Sequence, residues 1–151
     1  MRRNELEIKD KSIITSIIRK AEVCRLALSH DNKPYVIPLN FGFQNDCLYF
    51  HSAVKGKKID ILRQNKNVCF EIDLDFKLIE GEKACDCKAS YYSVIGFGIA
   101  EFIEEIEKKK EALNIIMEHY TGKNNYSFNE RILKKTAIIK IRITELSGKK
   151  S

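Results

Sequence analysis

Tyr35-Val36-Ile37-Pro38-Leu39-Asn40-Phe41-Gly42-Phe43 alternates in character along its length. In an extended chain successive side chains point to opposite faces, so Tyr35, Ile37, Leu39, Phe41 and Phe43 share one side, and that side can fill a core. The other side carries Val36, Pro38, Asn40 and Gly42, low in profile with one polar amide. Pro38 donates no backbone hydrogen bond, so the ladder is interrupted there or the strand lies at an edge. Low side chains beside free peptide groups suit a flat ring lying across the backbone, with Asn40 available to the ring edge. The alternative is that Pro38 and Gly42 only mark a bulge or corner of a barrel.

The flanks extend this pattern in both directions. Upstream, residues 10–21 read as a helix, with Asp10 as N-cap and Ile13, Ile14, Ile17, Ile18 and Ala21 on one stripe. Residues 23–29 form a strand, and His30-Asp31-Asn32-Lys33 its turn. Downstream, Gln44-Asn45-Asp46 turns into a strand over 47–52, as in a hairpin. A short helix over 55–64 turns Ile59 and Leu62 inward, and residues 68–74 alternate as a half-buried strand. Residues 80–89 are polar and loop-like, before a long strand over 90–103. A helix over 105–120 buries Ile106, Leu113, Ile116, Met117 and Tyr120. Residues 121–131 are irregular, and the last strand, 136–146, alternates through Ala137, Ile139, Ile141 and Ile143. Strands outnumber helices, and several connections are too short for parallel crossovers. One domain over 1–151 is expected, mainly β: a closed or nearly closed antiparallel barrel with accessory helices. A doubly wound α/β sheet is the weaker alternative.

The 151 residues are 44% hydrophobic and 32% charged, enough for a sizeable core under a solvated surface. Met1-Arg2-Arg3-Asn4-Glu5 is charged and the next apolar run is short and amphipathic. A cytoplasmic protein with no signal peptide and no membrane span is therefore expected. The cysteine count is five, an odd number that argues against a disulfide framework. Cys24, Cys47 and Cys69 read as core thiols. Cys85-Asp86-Cys87 has the wrong spacing and no His for zinc, so free loop thiols and no metal site are expected. The net charge of +6 favours anionic partners, but much of it is terminal, at Arg2, Arg3, Lys149 and Lys150. Over 104–111 both signs mix at helical spacing, Glu104 with Lys108 and Glu105 with Lys109, as on a solvated helix face. No nucleic-acid motif is present, and no nucleic-acid partner is expected.

Three constellations are able to carry chemistry. At Tyr49-Phe50-His51-Ser52-Ala53-Val54-Lys55-Gly56-Lys57-Lys58 a strand runs into a helix. A helix start offers free N–H groups and partial positive charge, to which Lys57, Lys58 and the Ser52 hydroxyl add a phosphate site. A capped surface helix with ordinary lysines explains the same residues equally well. The bare face of the 35–43 strand is the second. The third is Tyr91-Tyr92-Ser93-Val94-Ile95-Gly96-Phe97-Gly98-Ile99-Ala100, where Gly96, Gly98 and Ala100 share a small-residue face open to a ligand, a second subunit or a tightly coiled neighbour strand. His51, at a strand end beside the phosphate candidate, is placed to donate a proton near neutral pH, or to serve as a hydrogen-bonded structural residue. His30 and His119 are assigned no role.

The ordered set Ala21-Glu22-Val23-Cys24-Arg25-Leu26-Ala27-Leu28, Pro34 to Gly42, Leu48-Tyr49-Phe50-His51-Ser52-Ala53, Gly56-Lys57-Lys58, Ser93 to Gly98 and Leu146-Ser147-Gly148-Lys149 resembles the pyridoxamine-phosphate-oxidase-like flavin-binding proteins, and among them the nitroimidazole-resistance (Nim) branch. The resemblance implies a split antiparallel β-barrel homodimer with FMN, or alternatively FAD, in a cleft between subunits. It implies that Ile37, Pro38, Leu39 and Asn40 touch the isoalloxazine, that Ser52, Lys57 and Lys58 lie near the phosphate, that Ser93 sits near the cofactor, and that His51 stands beside the flavin as the catalytic residue. The branch often carries Arg just before Ser-Val-Ile, where this chain has Tyr92. The implied activity is reduction of a small-molecule substrate, a nitroaromatic in Nim-like members, by reduced nicotinamide through the flavin. Non-catalytic flavin or haem binding or storage is the alternative.

Overall fold

The computed structural model describes residues 4–151; the charges at Arg2 and Arg3 lie outside them. A single 3-10 turn at Asn4–Leu6 leads into β1 (Glu7–Ile8), α1 (Lys11–Lys20), β2 (Cys24–His30), β3 (Lys33–Leu39), β4 (Gly42–Gln44), β5 (Cys47–Ala53), α2 (Lys57–Gln64), β6 (Asn67–Ile79), β7 (Lys88–Ile103), α3 (Ile106–Thr121), α4 (Glu130–Lys134) and β8 (Thr136–Lys150). The strands form one antiparallel sheet in the order β3-β2-β6-β7-β8-β5-β4, with β1 added to β8. The expected antiparallel architecture with accessory helices is what the chain adopts.

Two tight turns set the register at the two ends of this path. Asp31 and Asn32 (φ 50° and 57°) close β2 onto β3, and Asn45 and Asp46 (φ 50° and 54°) close β4 onto β5. Paired left-handed residues match the twist of a hairpin, and Asn and Asp tolerate that conformation. The segment 35–43, expected as one strand, is two. It breaks at Asn40 and Phe41, with β3 at one end of the strand path and β4 at the other. A single run of sequence thus crosses the split in the barrel. Pro38 lies opposite Arg25 in the edge strand β3, where its missing N–H costs no central ladder bond.

Alternation places Leu26, Leu28, Phe41, Leu48, Phe50, Phe70, Ile72, Val94, Ile139 and Ile141 in the core, closed by Ile14, Ile17 and Ile18 of α1 and Ile59, Ile61 and Leu62 of α2. The small-residue face of β7 also points inward, which corrects its reading as a surface for a ligand or second subunit. A Cβ on Gly96 would stand 2.2 Å from the Phe70 ring, and one on Gly98 would stand 2.6 Å from Ile141 and 2.7 Å from the Arg142 carbonyl. The coiled-strand alternative is the one realised. The outward side of β7 carries Ile95 and Phe97, 44% and 49% exposed.

Strand β6 runs to Ile79, beyond the expected 74, and β7 starts at Lys88, so 80–87 of the predicted 80–89 loop connect the two strands of a hairpin arm. Between Leu74 (opposite Tyr92) and Lys77 (opposite Ser90) β6 has one residue more than β7, with Asp75 at φ 57°. Such a bulge inverts the alternation. Ile72 and Leu74 face inward, whereas Phe76 and Leu78 emerge on the outer face, 66% and 60% exposed.

Three local expectations are corrected. Helix α2 starts at Lys57 rather than 55. Residues 130–134 are helical, capped by Asn129, whose side chain accepts from the Arg131 N–H. Lys109 does not face Glu105 in solvent: it is buried, and its Nζ donates to the carbonyls of Leu133 (3.3 Å) and Thr136 (2.9 Å). Glu105 pairs instead with Lys108, at 2.7 Å. Among the described residues no helix is long and apolar enough to cross a membrane.

Candidate functional site

The site builds from the start of α2. Gly56 precedes it at φ 128°, a conformation L side chains rarely adopt, and a Cβ there would meet nothing within 4 Å. The position needs glycine for its backbone, not for lack of room. The Gly56 carbonyl accepts from the N–H groups of Ile59 (2.8 Å) and Asp60 (3.1 Å). No side chain caps the helix, and among the described residues the N–H groups of Lys57 and Lys58 have no acceptor. Two lysines in a first turn oppose the helix dipole, a cost of roughly 0.3–1 kcal/mol each that a bound anion reverses. Asp60 offsets part of it.

The Lys57 side chain reaches Tyr35 on the half-buried face of β3, the face opposite Val36, Pro38 and Asn40. Lys57 Nζ stands 4.5 Å from the centre of the Tyr35 ring. The side chains of Val36 and Pro38 on β3 and of Asn40 just after it are exposed, whereas Ile37 and Leu39 are half-buried toward the core. Gly42 does not continue this open face. A Cβ there would come within 2.8 Å of the Ile115 backbone, so Gly42 seats α3 on the barrel. The predicted bare face therefore ends at Asn40.

Other predicted residues are placed less compactly. His51 is exposed on β5, opposite Ile138. Ser52, next along the strand, faces the other way: it is 9% exposed, and its hydroxyl donates to the Ala53 carbonyl at 3.0 Å. Ser93 is half-buried on β7, opposite Asp73 and Lys149. Strands β2 and β6 separate it from β3, about 14 Å at the usual strand spacing. In one chain the start of α2 thus reaches Tyr35 of β3, and Ser93 lies three strands away from β3.

Two clefts, of about 560 and 500 Å³, lie elsewhere: one between α3 and β5, lined by Tyr49, Glu111 and Lys140, the other beside β1 and α1. Neither includes a predicted site residue. Burial pushes the Tyr49 phenol above its ordinary pKa. Cys24 and Cys47 are buried, Cys69 is half-buried, and Cys85 and Cys87 are exposed. Desolvation raises the Cys24 thiol far above its ordinary value, so it stays protonated. Among the described residues no three His, Cys, Asp or Glu side chains are grouped to hold a metal.

Several contacts were not legible in the sequence. Arg25 bonds Glu71 (3.0 Å) and Asp73 across the outer face of β2 and β6. Lys149 Nζ donates to the Tyr91 hydroxyl (2.9 Å) on the same outer face as Ser93. Tyr120, expected in the core, uses its hydroxyl at the β3–β4 break, accepting from the Phe41 N–H at 3.0 Å. These partners lie 46, 48, 58 and 79 residues apart, and no local pattern marks such pairs.

An antiparallel split barrel with accessory helices, an open helix start and a bare edge strand defines the class of this protein. The chain belongs to the pyridoxamine 5'-phosphate oxidase family, whose pattern matches residues 10–150. It is similar to a candidate 5-nitroimidazole antibiotic resistance protein of Bacteroides thetaiotaomicron, with 38% identity over 95% of this chain and 86% of that one, and a TM-score of 0.86. It shares its fold with the flavocytochrome Anf3 of Azotobacter vinelandii (21% identity, 100% of this chain and 72% of that one, TM-score 0.85). It also shares it with an FAD- and haem-binding protein of Mycobacterium smegmatis (17% identity, 96% and 73%, TM-score 0.85). An uncharacterised protein of Rhizobium meliloti is 32% identical over 56 residues; the match takes in 37% of this chain and 36% of that relative.

Proposed function

We propose that this chain binds a flavin between two copies of itself and reduces small oxidised molecules, nitroaromatics among them, with electrons from a reduced nicotinamide. The observation that carries the reading is the uncapped, doubly cationic start of α2, whose Lys57 side chain reaches Tyr35 of the edge strand β3. A phosphate monoester suits that helix start, which favours FMN; FAD is the alternative. Lys57, Lys58 and their N–H groups hold the phosphate. Pro38 and Asn40, with the backbone of Ile37 and Leu39, receive the ring, and Ser52, at the end of β5, lies near the phosphate. The bound flavin supplies the hydride and electron transfer. His51, exposed and without a hydrogen-bond partner among the described residues, delivers a proton to the substrate as charge builds on it.

The outer face of β6 and β7 supports the homodimer. Ile95, Phe97, Phe76 and Leu78 are exposed there, and Val36 extends the apolar surface onto β3. A two-fold contact across this face covers that surface and brings one copy's Ser93 toward the cofactor held by the other copy's β3. The open, shallow form of the site in a single chain fits such an arrangement.

The absorbance spectrum of the purified protein, with extraction of what it carries, tests the reading. Flavin bands, FMN in the extract, bleaching by reduced nicotinamide and recovery on adding a nitroaromatic are expected. A Soret band without flavin would favour the haem-binding alternative. A colourless protein that takes up no added flavin would reject flavin binding.

A further inference from the structure

Between Leu39, the last residue of β3, and Gly42, the first of β4, Asn40 and Phe41 belong to no strand. The Phe41 side chain is fully buried, and its N–H is outside any ladder. A buried N–H without an acceptor is costly. Here the acceptor is the hydroxyl of Tyr120, near the end of α3, at 3.0 Å, and that hydroxyl donates onward to the Glu22 carbonyl at 2.7 Å. The preceding residue works in parallel: His119 Nε2 bonds the Ala21 carbonyl at 2.7 Å, and its ring lies 4.4 Å from the Phe41 ring. Two consecutive residues of α3 therefore clip the α1–β2 connection to the break between the edge strands. Gly42, against Ile115, seats α3 on the same segment.

The clip has a directional consequence. Phe41 N–H and Asn40 C=O belong to one trans, planar peptide unit, so they point in opposite directions. Fixing the N–H on Tyr120 fixes the Asn40 carbonyl on the other side. We propose that Tyr120 is a positioning residue for the flavin: it touches no cofactor, and by holding the Asn40–Phe41 peptide it presents the Asn40 carbonyl to the isoalloxazine edge. The inference rests on the flavin-binding reading above.

Tyr120→Phe tests it, since the ring is kept and only the hydroxyl is lost. Amide hydrogen exchange is followed at Phe41, and FMN and riboflavin are titrated separately. Exchange at Phe41 is expected to quicken about tenfold, and both flavins to weaken about fivefold and equally, the scale of one hydrogen bond felt at the shared ring. In the unaltered chain, added riboflavin is expected to slow exchange at Asn40 and Phe41, a readout that needs no variant to fold. Quicker exchange with unchanged affinities would make Tyr120 purely structural and overturn the proposal, as would a loss confined to FMN or an absence of slowing by riboflavin. Unchanged Phe41 exchange in the variant defeats this inference alone. An unaltered chain that binds neither flavin removes it together with the flavin-binding reading.

Discussion

Helices α1 and α2 begin in opposite ways. At α1 the chain closes its own helix end. Asp10 sits in extended backbone, its carboxylate accepts from the Ser12 N–H at 2.8 Å, and the cations Arg19 and Lys20 fall in the last turn, where the dipole welcomes them. At α2 the cap is a glycine with no side chain, and two lysines stand where the dipole disfavours them. Both helices bury isoleucines against the same core, so packing does not explain the difference. An end left open and made more positive is a poor helix start and a good anion site. The contrast teaches that the local rule breaks where the ligand is expected to complete it.

The largest expected effect lies at a residue outside both helix starts, which separates turnover from cofactor holding. His51→Ala should lower nitroaromatic reduction by roughly the 10²–10⁴-fold of a lost general acid, while flavin affinity and unfolding midpoint stay near those of the parent. Steady-state assays beside a flavin titration check this. Full activity in the variant would remove His51 from the chemistry, and joint loss of flavin and stability would make it structural.

Next comes an exchange of endings. With Gly56→Ala as the reference that carries the same backbone strain at φ 128°, Gly56→Asp adds the kind of carboxylate that closes α1. It should weaken FMN by about tenfold or more, because the carboxylate competes for the same N–H groups and opposes the phosphate. Isothermal titration measures the change. Unaltered FMN affinity would mean that the start of α2 is only a surface helix end.

The smallest effect is expected at α1. Hydrogen bonds from Ser12, its side chain and then its backbone N–H, hold the Asp10 carboxyl below its ordinary pKa. A carboxyl lowered on folding contributes stability that is full above its unfolded pKa and lost as pH falls through the folded one. Asp10→Asn keeps a capping side chain and removes the titration. Its unfolding midpoint should therefore match the parent near neutrality and fall less steeply below about pH 4, with flavin affinity unchanged. An identical acid limb in both proteins would show that this contact contributes nothing.

Much of the fold was legible because neighbouring residues decide it. The alternation of 68–74 and 136–146, the stripe and cap of α1, and the Asp-Asn and Asn-Asp turns each carry their own instruction. What escaped depends on residues far away in the chain. The strand break at Asn40 and Phe41 is stable because Tyr120 accepts the Phe41 N–H. Glycines suit an inner or an outer face alike, and only Phe70 and Ile141 show that Gly96 and Gly98 point inward. Lys109 read as a surface charge because its acceptors, Leu133 and Thr136, lie a helix away. Within the candidate site, the open helix start with Lys57 and Lys58 and the exposed Pro38 and Asn40 were readable from local pattern. The separation of Ser93 from them follows from strand order, which alternation does not encode.

The central claim is that the open end of α2 holds a flavin phosphate. The direct measurement is the affinity of FMN and of riboflavin, which lacks the phosphate, for the unaltered chain and for the Lys57→Ala, Lys58→Ala double variant. The account predicts that the parent prefers FMN, that the double change weakens FMN about a hundredfold, the scale of two charge-assisted contacts, and that riboflavin moves less than about twofold. Equal losses for the two ligands, or a parent that does not distinguish them, would contradict it.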